Sequence, residues 1–258
     1  MQLNYNKLTC LLFPLALCAP LAAADWSGPY VGVNLGRGTS TGETTRLWSN
    51  YGVVQDAESA GEQYDPVKAG AKGGLLGLQA GYNQQVGKVV FGIEADLAYA
   101  RIKGEKASPM RNPDGSPYTQ GTYNRTSQEI HWTGSVSLKL GLAVSENVLP
   151  YVSLGAATAR VKDTADADFS GQRPGLVWDY PSGTTKKSPT GVVFGAGVEW
   201  RFQKRLSAKL DVTHYELGST SSGDSPLVNN QEEANAWTAK YTWAHSFNEV
   251  RLGVNYRF

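Results

Sequence analysis

Two acidic residues two positions apart, Glu94 and Asp96, are the first candidates for general acid–base chemistry in the 258-residue chain. Paired carboxylates can do such work when their surroundings push their proton affinities apart. The three histidines, His131, His214 and His245, are the only imidazoles available to a transition metal or a proton relay. They fall in three separate segments, without the carboxylate or cysteine spacing of a metal centre. The glycine pairs Gly73-Gly74 and Gly195-x-Gly197 do not lead into Lys-Ser/Thr, as a phosphate-cradling loop would. The sequence therefore predicts no catalytic residue, no metal and no cofactor. What Glu94 and Asp96 do instead depends on the elements that carry them.

Those elements begin after a leader. Lys7 precedes an apolar run, residues 8–17, and the small-residue stretch Ala22-Ala23-Ala24 stands before Asp25. A charged start, a short apolar core and an A-x-A site are the parts of a secretory signal peptide, so residues 1–24 are expected to be removed and 25–258 to form one domain. Both cysteines, Cys10 and Cys18, belong to the leader, and the exported chain has neither a disulfide framework nor a thiolate site. Lys7 is the leader's one charge, so taking 24 residues from 258 leaves 234, with 23 basic against 23 acidic residues. A neutral chain without a basic block is a poor partner for nucleic acid. Outside the leader no apolar run approaches the ~18 residues of a spanning helix, whereas a barrel needs apolar residues only at every second position.

That period of two recurs along the chain. In residues 89–101, Val89, Phe91, Ile93, Ala95, Leu97 and Tyr99 alternate with small or acidic residues, Glu94 and Asp96 among them. Similar alternation marks residues 30–36, 74–83, 129–142, 151–161, 191–202, 206–213 and 250–258, which predicts eight strands. Short connections follow the second, fourth and sixth, and long polar ones follow the first, third, fifth and seventh. That order suits an eight-stranded antiparallel up-and-down transmembrane β-barrel with short periplasmic turns and long extracellular loops. A soluble sandwich or lipocalin-like barrel also alternates, but it shows its charges to water. Here one face collects nearly all the charge and glycine, and the other is apolar with aromatics near its ends. The aromatic girdles are expected at Tyr99 and Trp132 on the outer side, and at Tyr82, Trp200, Phe202 and Tyr256 on the periplasmic side.

The charged face, turned inward, would hold Glu94, Asp96, Glu129, Glu199, Asp211 and Glu249 against Lys139, Arg201, Lys209, Arg251 and Arg257. An eight-stranded barrel is just wide enough for side chains to fill, so these residues are expected to form a charge network rather than line a channel. Cross-strand pairs of Glu94 with Lys139 and of Glu199 with Lys209 are predicted.

The residues also carry a family resemblance. Asp25-Trp26-Ser27-Gly28-Pro29-Tyr30-Val31-Gly32, the sixth-strand segment Gly195-Ala196-Gly197-Val198-Glu199-Trp200, and Leu206-Ser207-Ala208-Lys209-Leu210-Asp211 resemble the Omp25/Omp31-like outer-membrane β-barrel proteins of proteobacteria, the "porin family". In the last eight residues Gly253, Tyr256 and Phe258 resemble a C-terminal assembly signal. The resemblance implies an outer-membrane protein with a structural, envelope-integrity role and surface-exposed loops. It also implies outer-membrane lipid and lipopolysaccharide as surroundings, and the outer-membrane assembly machinery as a partner at the C-terminal strand. A small passive pore and an adhesin or haemin-binding surface protein are the alternatives. The aromatics of the long loops, among them Tyr51, Tyr64, Tyr118, Tyr123, Trp178 and Tyr180, could anchor a host or phage ligand or pack loop on loop.

Overall fold

The computed structural model describes residues 25–50, 67–109, 123–168, 178–179, 182–222, 225–226, 228–229 and 237–258. The leader, and most of the loop aromatics named above, lie outside them. Eight long strands among the described residues form a ring: β1 (Gly28–Ser40), β2 (Lys72–Val86), β3 (Val89–Pro109), β4 (Tyr123–Leu142), β5 (Val148–Asp168), β6 (Thr190–Gln203), β7 (Leu206–Ser221) and β8 (Trp237–Arg257). Each pairs antiparallel with the next, and β8 returns to pair with β1, Tyr30 opposite Arg257 and Ser40 opposite Phe247. Closure leaves no sheet edge inside the hydrocarbon, where an unpaired backbone group would be costly.

The tight turns match the sequence reading. Gly87, at φ +62°, turns β2 into β3, residues 143–147 join β4 to β5, and Lys204-Arg205 joins β6 to β7. All three turns lie at the end of the ring that also holds Trp26 and Phe258.

The outer wall of this lower half is apolar. Leu138 is 67% exposed, Leu78 65%, Leu154 62% and Leu252 57%, with Val33, Phe91, Ile93, Val136, Phe194 and Val212 filling the band between them. Each such side chain forfeits about 1.5–3 kcal/mol if left facing water, so a continuous ring of them requires lipid. Tyr99 opposes Trp132 at the upper margin. At the lower margin Tyr82, Trp200, Phe202 and Tyr256 all point outward, Trp200 and Phe202 with ring centroids 6.0 Å apart.

Above Tyr99 and Trp132 the strands continue, and their polarity reverses. Ile102, Ile130, Val161, Leu217 and Phe247 are buried inside the ring, while Arg101, Lys103 and Arg160 face outward and are exposed. Much of what alternation assigned to long loops is therefore sheet, built like a soluble barrel. Two further strands carry this upper wall on where β1 and β6 leave it: Glu43–Asn50 pairs with the start of β8, and Ser182–Lys187 pairs with β5.

The reversal on β4 corrects one sequence expectation. A bulge at His131, between Ile130 and Trp132, interrupts the pairing with β5. One extra residue flips every side chain beyond it, so Ile130 turns into the core and Glu129 turns outward, 3.2 Å from Lys103. Glu129 is thus not in the lumen. Gly218, at φ +72°, marks a comparable shift on β7 between Glu216 and Ser219.

Candidate functional site

The lumen is filled in tiers, each positioned by the inward positions of several strands. The lowest is closed by Trp26, fully buried against Val90 and Leu149. Its backbone N–H donates to Gln85 Oε1 at 2.8 Å, and its carbonyl accepts from Arg257. The Arg201 guanidinium sits over the indole, 4.1 Å from the ring centre, and donates to the Asp25 carbonyl at 3.0 Å. Arg201 is therefore part of the lower closure, not of the network above it.

The next tier joins β1, β3, β4, β5 and β7. Glu94 takes Lys139 Nζ at 3.3 Å on one oxygen and Lys209 Nζ at 2.9 Å on the other. Tyr30 donates its hydroxyl to Glu94 at 2.8 Å. Lys209 also meets Asp211 at 3.0 Å, Asp211 accepts from the Tyr151 hydroxyl, and Lys139 sits 4.0 Å above the Tyr151 ring. Glu94 and Lys139 thus meet, as the spacing predicts. Glu199 and Lys209 do not, although their Cα positions face each other across β6 and β7. Lys209 is long enough to cross the lumen to Glu94. Glu199 turns instead to Ser207, to Asn255 and, at 3.4 Å, to Arg257.

Higher still, Arg251 gathers two carboxylates. It bridges Asp96 and Glu249 and donates to the Tyr215 hydroxyl at 2.8 Å. Asp96 also accepts from the Asn34 amide at 2.7 Å. Asn34 donates to Gln79, and Gln79 to Asn255, both at 2.6 Å, tying this tier to Glu199 below. Tyr30, Asn34, Gln79, Tyr151, Tyr215 and Asn255 are members that charge-based reading of the sequence passes over. All are inward positions of the same alternation, which is the signal that could have found them.

Room for these groups comes from glycine. A Cβ on Gly36 would sit 3.0 Å from Arg251 Cγ, and one on Gly197 would sit 2.6 Å from the Tyr151 hydroxyl. Bulky residues at these inward positions would displace the ion pairs.

An apolar layer, including Ala98, Ala100, Ile102, Ile130, Leu217 and Phe247, covers the Arg251 tier, with Tyr215 and Phe247 stacked at 4.5 Å. Above it, outside the lipid band, lies a second polar cluster. His245 Nε2 is 2.9 Å from Thr220 Oγ1 and 3.5 Å from Asp163 Oδ2, and its Nδ1 is 3.4 Å from Gln128. Burial pushes the Asp163 carboxyl up to about 7, with Gln128 opposing, and pulls the His245 imidazole down to about 4. His131 and His214 lie elsewhere on the wall, beside Glu129 and Glu216. Among the described residues no group of three or more His, Cys, Asp or Glu side chains is placed to hold a metal.

Glu94 and Asp96 are saturated by cations and hydroxyl or amide donors inside a filled lumen. Such groups hold one another in place; neither is aimed at an open cleft where substrate could sit.

The profile of the outer membrane protein β-barrel domain matches residues 8–258. The 31 kDa outer-membrane immunogenic protein of Brucella melitensis is 25% identical over 241 residues, 93% of this chain and 87% of that protein. The 25 kDa outer-membrane immunogenic protein of Brucella abortus is 23% identical over 244 residues, 93% and 84% of the two chains. Among solved structures, OprG from Pseudomonas aeruginosa shares 10% identity at a TM-score of 0.44, over 90% of this chain and 97% of its own. Neisserial surface protein A shares 14% at 0.38, over 90% and 98%.

Proposed function

The chain belongs to the outer-membrane β-barrel domain family, and on that premise we propose that it is a non-enzymatic structural component of the bacterial envelope. Its location in the outer membrane follows from the family and from relatives named as outer-membrane proteins. The observation that carries the structural role is the filled lumen. Trp26 closes the lower mouth, two ion-pair tiers occupy the middle, and an apolar layer caps them. A barrel spent on internal contacts contributes as a rigid wall element whose outer surface meets lipid and whose upper rim meets the surroundings.

The remaining parts serve that role. The first 24 residues direct export. Tyr82, Tyr99, Trp132, Trp200, Phe202 and Tyr256 set the depth of the barrel at the two interfaces. Gly253, Tyr256 and Phe258 engage the assembly machinery. The long polar connections of the sequence supply the surface that a host or phage ligand would meet.

Deletion of the gene tests the proposal, with sensitivity to detergent and host-cell attachment scored side by side. Greater detergent sensitivity, rescued by wild-type protein and by a version with trimmed loops, is the expected result. Unchanged sensitivity together with lost attachment would replace it with an adhesin. Stepwise conductance of the refolded protein in planar bilayers would replace it with a pore.

A further inference from the structure

Just above the upper girdle, the outward positions of neighbouring strands carry cations in two rows. In the first row Arg37, Gly74 and Arg101 stand opposite one another across β1, β2 and β3, and Arg160 on β5 stands opposite Trp132. In the second row Lys72 faces Lys103, and Lys162 faces Glu129. Arg37, Lys72, Arg101, Lys103 and Arg160 are exposed and Lys162 is half-buried.

Three features of this patch point to a ligand. Arg101 lies two residues beyond Tyr99, and Arg37 two residues beyond Leu35, so the first row stands only about 7 Å above side chains that contact lipid. Lys72 and Lys103 are direct cross-strand partners, a like-charge pair that costs sheet stability and that Glu129 offsets on the Lys103 side alone. A single acid does not balance the patch: Glu129, opposite both Lys103 and Lys162 in register, lies 3.2 Å from Lys103, and among the described residues no ion pair within 4.0 Å involves Arg37, Lys72, Arg101, Arg160 or Lys162. On β7 and β8 the outward positions beyond Val212 and Val250 are His214, Glu216, Ser246 and Asn248. The two rows therefore stand on the β1–β5 side of the barrel, and exposed Lys186 and Lys187 continue them past β5.

We propose that this patch, formed by β1, β2, β3 and β5 above the aromatic girdle, binds the phosphorylated head group of an outer-leaflet lipid. Arginine forks suit phosphate oxygens, and lysine supplies a point charge beside them. The lipid's acyl chains then lie along Leu35, Leu76, Tyr99 and Leu97 directly below. A sulfated glycan has the charge but no such chains, and so would leave the adjoining apolar wall unused.

The inference rests on the outer-membrane placement of the barrel, and insertion is read separately by heat-modifiable gel mobility. The full chain, refolded in zwitterionic detergent, is titrated with lipopolysaccharide, with the same lipid stripped of its phosphates, and with heparin. Wild-type protein is expected to bind the phosphorylated lipid in a salt-sensitive manner and to lose most binding to the stripped form. R37Q/R101Q/R160Q is expected to bind roughly 10–100-fold more weakly at low salt, and R37K/R101K/R160K to retain much of the affinity. K88Q/K204Q, at the periplasmic turns, is expected to bind as wild type. If the triple glutamine variant does not fold, K72Q/K103Q takes its place. Indifference to phosphate removal, or unchanged affinity in a folded glutamine variant, overturns the proposal. So does a loss confined to heparin, which would assign the patch to a soluble glycan.

Discussion

Arg251→Met is the sharpest test of how the lumen is held together. Arg251 is the cation for both Asp96 and Glu249, and Glu249 is fully buried. Removing one partner of a buried pair costs about 3–5 kcal/mol, because the remaining charge is stranded. Here two carboxylates are stranded. Asp96 keeps the Asn34 amide at 2.7 Å, so its added penalty is the smaller, and the total is expected at roughly 4–6 kcal/mol. The triple variant Arg251→Met/Asp96→Asn/Glu249→Gln removes the stranded charges as well and should recover most of that loss, a non-additivity expected of groups in one network. Urea unfolding in detergent micelles, followed by tryptophan fluorescence and by heat-modifiable mobility, gives the comparison. A single variant within about 1 kcal/mol of wild type, or a triple variant less stable than the single, would refute the idea that this tier supports the barrel through charge compensation.

Three other outcomes are expected. Lys139→Ala should cost less than Arg251→Met, about 3 kcal/mol by the same measurement, because Glu94 keeps Lys209 and Tyr30; equal losses would show that the tiers are not independent. Trp26→Ala should destabilise by about 3–5 kcal/mol and make the periplasmic end accessible to a thiol probe at a cysteine introduced for Ser207, whereas unchanged labelling would mean that something else closes this mouth. The folded-state proton affinity of Asp163 is raised to about 7, so its contribution to stability is fully present below its ordinary range and is lost as pH rises through 7. Asp163→Asn should therefore match wild type near pH 4 and exceed it progressively toward pH 8 in resistance of the upper barrel to proteolysis. A gain that is the same at both ends would contradict the assignment.

The eight strands, their order, the three tight turns and the choice of lipid-facing side were all legible in the sequence, because each follows from a local property. Alternation with period two fixes which residues share a face, and the small and charged residues opposite Phe91, Leu138 and Val212 leave one arrangement that a bilayer accepts. The lumen cluster was legible only in part: inward parity selects Glu94, Asp96, Lys139, Lys209 and Arg251, but it also put Glu129 and Arg201 with them, and a reading by charge left out the uncharged members.

What parity could not supply was distance across the ring. Glu199 and Lys209 are neighbours in register, yet a lysine reaches farther than one strand spacing, and only the closed barrel puts Glu94 within its reach. Parity also fails wherever a residue is inserted. The bulge at His131 sends Glu129 outward and Ile130 inward, and no local pattern announces it, because the flanking residues are apolar enough for either face. The reversal of polarity above Tyr99 escaped for a related reason. Segments with charge outside and Ile, Val and Phe inside look like polar loops when apolar-out strands are sought. The local chain thus determined what contacts lipid. Three-dimensional closure, which brings distant strands face to face, decided which charges meet, where the wall leaves the membrane and where the cations of β1 to β5 gather.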